Sequence, residues 1–219
     1  MMKALLALLF SAGAGFTWCM PLALSSMLSY GLMVLAQTQG VSIIGLIHNA
    51  SAAKAASQPD ANSDVLHDAS VAELCAGYEA HHWESTSNCL HASGMLLVFV
   101  FALACCMGNL TSHWKLRLAV SIPPTWYLYA WAGHYAFQAD IPAVFTYGMS
   151  LRGWAVGELC SVGALLAGRT VGPRGPNGSM GIEEWALTAA LILVYAAAAA
   201  PAWTSLIANR PDEPRVKHQ

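Results

Sequence analysis

Charged side chains are scarce in this sequence. Asp, Glu, Lys and Arg make up 10% of its 219 residues, whereas 56% are hydrophobic. Soluble domains carry about 25% charged residues, so the composition argues against a soluble domain and for a membrane protein. The formal net charge is −2, and no basic patch offers footing to a nucleic-acid partner. Cysteine occurs six times, but never as CxxC or with zinc-finger spacing, so no dithiol redox motif or structural zinc site is expected. HExxH, the helix signature of zinc hydrolases, is absent. So are the repeated HxxxH or HxxHH boxes of histidine-metal hydroxylases and desaturases; the chain has one adjacent pair, His81-His82.

Long apolar runs are present. A helix rises about 1.5 Å per residue and a bilayer core is about 30 Å thick, so roughly twenty apolar residues cross it. Runs of about that length cover 92–110, 118–137, 154–171 and 185–207. The expected fold is therefore all-α: a polytopic membrane helical bundle with four core transmembrane helices plus an N-terminal hydrophobic segment. Residues 1–47 read as a signal sequence or membrane anchor, with Lys3 ahead of an apolar run. Small residues at 12–15 suit a cleavage site, but apolar character persists to Leu35 and favours a retained anchor. Residues 48–74 form a polar linker, 75–208 the membrane domain and 209–219 a polar tail. No chemistry-bearing motif falls within 1–70, which are expected to be dispensable for the reaction. Pro123 and Pro124 are expected to kink or break the second helix. Lysines and arginines balance between the two faces of this arrangement, so charge does not orient it.

The histidines give the arrangement its meaning. Residues 111–117 are too few for anything but a tight turn, so the first two runs form an antiparallel hairpin. His91 opens the first run and His134 lies near the end of the second, which returns both to one face. His81 and His82 lie just outside that face. His82, His91 and His134 are thus candidate metal ligands, with His81 a candidate fourth, since imidazole binds many divalent ions. The competing reading is that of interface histidines satisfied by hydrogen bonds, which is how His48, His67, His113 and His218 are read. Tyr78, one turn before His82, and Gln138, one turn after His134, are candidates to orient the rings. Glu158 is an ionisable group inside the third run, and Asp140 reads as a loop residue. Cys75 and Cys89 flank the histidine pair and could bridge in an oxidising compartment, whereas Cys105, Cys106 and Cys160 are expected to pack as small hydrophobes.

These residues resemble a known family, the membrane 2-hydroxy fatty acid dioxygenases, formerly a domain of unknown function. Its yeast member is named for metabolism of phytosphingosine to odd-numbered fatty acids. Tyr78, His82, His91 and Gly94 match the family's first block; Gly133, His134, Phe137, Pro142 and Ala143 match its second, continued by Phe145, Tyr147 and Ser150. The resemblance covers about 74–170. Ser85 and Ser87 stand where the family usually has Pro and Asn, and Gln138 where it usually has Glu. The resemblance implies an Fe(II)-dependent dioxygenase that takes O2 and a long-chain 2-hydroxy fatty acid from the membrane. It would shorten that acid by one carbon in sphingoid-base degradation, at the endoplasmic reticulum. His82, His91 and His134 would be the catalytic metal ligands, and Arg152 or Trp154 would contact the carboxylate. The alternatives are another histidine-metal lipid enzyme and a non-catalytic membrane protein with structural histidines.

Overall fold

Five helices account for most of the described chain in this computed structural model, which describes residues 1–39, 70–72, 75, 82, 84–107, 110–138, 159–160, 162–164, 167 and 180–208. They are α1 (Met2–Phe16), α2 (Leu22–Gln39), α3 (Ser85–Met107), α4 (Ser112–Ala132) and α5 (Ile182–Ala208). A 3-10 turn, Thr17–Cys19, joins α1 to α2, and a π-helical turn, Gly133–Gln138, extends α4. Three stretches are long and apolar enough to cross a membrane by length and composition: Met2–Cys19, Ser85–Met107 and Ile182–Ser205. Helix α4 is of similar length and packs against α3, but Lys115, Arg117 and two prolines keep it out of that set. Among the described residues, the three stretches thus comprise the N-terminal segment and two of the four expected core runs, 92–110 and 185–207. The third expected run, 154–171, lies largely outside the described residues, as do the linker and the tail.

The expected hairpin forms. Helix α3 starts seven residues earlier than its apolar run, because its polar opening is stabilised from within the bundle. Glu84 Oε2 accepts the Ser87 N–H at 2.7 Å and caps the helix. Ser85 Oγ donates to Glu184 Oε1 at 2.6 Å, and Ser93 Oγ to the Cys89 carbonyl at 2.7 Å. Pro123 and Pro124 lie inside α4 without breaking it, a correction to the expected break. At Gly94 the hairpin is close enough that an added Cβ would lie 2.7 Å from the Tyr129 Cβ.

Helix α1 is not a detached anchor. Ala7, Ser11 and Gly15, one small residue every fourth position, are its buried face. Lipid gives no hydrophobic drive for helices to associate, so close backbone approach over small residues takes its place. An added Cβ on Gly15 would overlap the Tyr195 carbonyl and come within 3.1 Å of the Ala198 Cβ, both on α5. Ser11 Oγ donates to the Leu191 carbonyl at 2.7 Å and is also in contact with the Tyr129 hydroxyl. Since the serine proton is committed to Leu191, the tyrosine O–H donates to Ser11. Lys3 pairs with Glu84 at 3.1 Å. A chain beginning near Asp68 would lose all of these contacts. The finer test is Ser11→Ala, which leaves the buried Tyr129 hydroxyl without its acceptor. The expected loss is about 1–3 kcal/mol, read as a melting midpoint several degrees lower in detergent; an unchanged midpoint would refute the role given to Ser11.

The helix ends sort into two groups. Lys3, Glu84 and Glu184 bring the starts of α1, α3 and α5 together. At the other end, Arg117 near the start of α4 donates to the Trp18 carbonyl and lies over the Trp18 and Trp114 rings. Trp18 stacks on Trp203 near the end of α5, with centroids 5.3 Å apart, and meets Phe101 of α3 at 5.0 Å. Helix α5 therefore runs from the histidine end to the far end, opposite to the direction given by counting single crossings along the sequence.

Candidate metal centre

Three histidines from two helices and one connecting segment meet at the end of the bundle where α3 begins. His82, His91 and His134 are 0%, 1% and 2% exposed. One donor atom from each lies within 4.8 Å of the others. The ring centroids are 4.6 Å apart for His82 and His91, 4.8 Å for His82 and His134, and 5.1 Å for His91 and His134. All three pairs meet edge to face, which turns ring nitrogens inward instead of stacking apolar faces.

Each ring is held by the local fold. His82 precedes α3, and Asn88 Nδ2 donates to its carbonyl at 3.2 Å. His91 lies two turns into α3, and its Nδ1 is 2.9 Å from the Ser87 carbonyl four residues earlier. A carbonyl only accepts, so Nδ1 carries the proton and Nε2 of the neutral ring presents its lone pair. That Nε2 lies 3.2 Å from His82 Nε2. With metal–nitrogen bonds of about 2.1 Å, two ligands lie about 3.0 Å apart at a right angle and about 3.4 Å apart in a tetrahedron. The observed spacing falls between these values. His134 sits in the π-helical turn, a form that recurs at functional sites. Three buried imidazoles suit a divalent transition metal. The donor set therefore fits a metal ion.

Gly133 explains why the rings can converge. An added Cβ there would lie 2.6 Å from Ser87 Oγ and 3.2 Å from both the Ser87 Cα and His91 Nδ1. Only a residue without a side chain lets the two helices approach this closely beside the ligand pair. Gln138 is 2% exposed within the same π-helical turn as His134. Tyr78, His81 and Arg152 lie outside the described residues, as do Asp140, Trp154 and Glu158. The sequence reading missed Glu84, Ser87 and Asn88. Glu84 three residues before Ser87 is a cap spacing, and Ser87 with His91 is an i, i+4 pair, so both signals were available in principle.

The cysteine expectations are corrected. Cys75 bonds Cys160, with Cα atoms 5.7 Å apart, instead of Cys89. Cys89 is a buried thiol, because its position on α3 faces α5 and its Sγ reaches the Glu184 carbonyl at 3.5 Å.

No curated protein and no solved structure matches the chain. A family model does match, over residues 69–157, and its description is 2-hydroxy-palmitic acid dioxygenase Mpo1-like. The matched stretch contains all three buried histidines, Ser87, Gly133 and Gln138, and over that stretch the chain is similar to the Mpo1-like family.

Proposed function

We propose that the protein is an Fe(II)-dependent dioxygenase that shortens long-chain 2-hydroxy fatty acids by one carbon, as in sphingoid-base degradation at the endoplasmic reticulum membrane. The observation that carries this reading is the buried histidine triad within the stretch that matches the family. His82, His91 and His134 would hold the metal. Iron would supply redox chemistry toward O2 that zinc lacks. The remaining work falls to the chain. The Ser87 carbonyl keeps the His91 proton on Nδ1, so Nε2 stays a donor of electrons. Asn88 fixes the backbone at His82. Burial keeps bulk water from competing for the open positions that O2 and substrate need. The lipid-facing residues of α3, among them Phe99, Val100 and Leu103, are exposed, so the acyl tail can remain in lipid while the carboxyl end reaches the histidines. Arg152 is the candidate partner for that carboxylate, with Tyr78 and His81 as supporting groups.

The test is metal analysis of detergent-purified full-length protein together with turnover of 2-hydroxypalmitate under O2. Iron near one equivalent and a product one carbon shorter are expected. Folded protein containing no iron and showing no turnover would refute the reading. Gln138→Glu grades the role of the family's usual acid. The amide keeps a hydrogen-bonding oxygen but lacks the charge. If that acid takes part in the reaction, turnover rises; if the residue only steadies His134, turnover stays within about twofold.

A further inference from the structure

We infer that the histidine end of the bundle faces an oxidising, non-cytoplasmic compartment, where Cys75–Cys160 forms and ties the segment leading into His82 to the segment that follows His134. The six cysteines sort by bundle end. In sequence the bonded pair brackets the site: Cys75 lies seven positions before His82, and the bond links positions 85 apart, with all three histidines between them. The far end carries thiols. Cys19, at the close of the 3-10 turn after α1, is exposed; Cys106, in the last turn of α3, is exposed; its neighbour Cys105 is half-buried. The remaining thiol at the histidine end, Cys89, is sealed in the bundle at 0% exposure, beyond the reach of an oxidant. A disulfide at one end and accessible thiols at the other is the distribution expected when a membrane separates an oxidising space from a reducing one. Charge does not oppose this orientation. Lys3 at the histidine end is paired with Glu84, and Arg117 at the far end is buried against aromatic rings.

Bond formation converts two thiols to one S–S bond with loss of two protons and two electrons. A disulfide-carrying oxidant on that side, a protein or glutathione disulfide, accepts them and becomes two thiols. Combined with the proposed reaction, the orientation has the substrate's carboxyl end offered from the non-cytoplasmic leaflet. The inference itself rests on the cysteines and helix directions, so its test can fail while the metal reading stands.

The experiment uses full-length protein in eukaryotic cells, acid-quenched at harvest, with thiols counted by maleimide mass shift after denaturation. Four reactive thiols before reduction and six after are expected. Six before reduction would overturn the bond. An epitope tag appended after Gln219 then reports orientation, because α5 ends at the far end. In sealed, cytoplasmic-side-out vesicles, added protease should remove the tag. A tag protected until detergent opens the vesicles would place the histidines on the cytoplasmic side and overturn the orientation.

Discussion

His134→Ala is expected to reduce bound iron to background and to abolish one-carbon shortening of 2-hydroxypalmitate, while the protein still folds. His134 is the triad's one member from α4, whereas His82 and His91 come from the start of α3 and the segment just before it. Its loss leaves two imidazoles, too few to fix a metal in place. Even residues that only support a ligand typically account for 10–100-fold in affinity or activity, so a ligand itself should account for more. Folding should survive, because the helix contacts at Gly94–Tyr129 and Ser11–Leu191 lie away from that ring. His113→Ala is the control. His113 is exposed near the start of α4, edge-on to Trp114, and its removal should leave metal and turnover unchanged. Iron retained in purified, folded His134→Ala protein, with normal turnover, would remove the triad from the mechanism.

Gly133→Ala should damage the same site without touching a ligand. Its methyl group would need the space 2.6 Å from Ser87 Oγ and 3.2 Å from His91 Nδ1. Forcing one carbon into a packed contact costs about 1–3 kcal/mol. The helices can yield only by parting where the Ser87 carbonyl holds His91. The expected outcome is a lower melting midpoint together with a loss of iron at least tenfold. Adding Ser87→Ala relieves the nearest contact but keeps the backbone carbonyl, so the double variant should recover part of both. A Gly133→Ala protein as stable and as iron-loaded as the parent would show that the close approach is not required.

The sequence revealed the hairpin and the convergence of three histidines because both follow from fixed quantities. Helical rise sets where a chain leaves the bilayer, and a turn of seven residues permits one topology. The role of α1 was not legible. A soluble amphipathic helix advertises its buried face by hydrophobicity, whereas Ala7, Ser11 and Gly15 are buried by being small among larger apolar neighbours. The direction of α5 was hidden for another reason. It depends on the path between Gln138 and Met180, and composition does not count crossings there. Cysteine pairing was equally closed to inspection, since Cys75 had several partners compatible with spacing and only packing separates Cys89 from Cys160. Ser85 and Ser87 stand in the sequence only as departures from the family pattern. In the fold one bonds Glu184 and the other supplies the carbonyl that sets the His91 tautomer.

The π-helical turn at Gly133–Gln138 also bears on how this site can change over time. A π-helical turn behaves as an α-helix that has accepted one extra residue, and it is less regular than the helix it interrupts. Deleting one residue between His134 and Gln138 would restore the ordinary helix and improve its backbone bonding. It would also rotate everything beyond the deletion by about 100°, which carries Gln138 away from the histidines while leaving all three in place. A deletion there would thus undo the turn's arrangement without altering any of the three histidines. The spacing from His134 to Gln138, and not the histidines alone, is therefore part of what defines this arrangement.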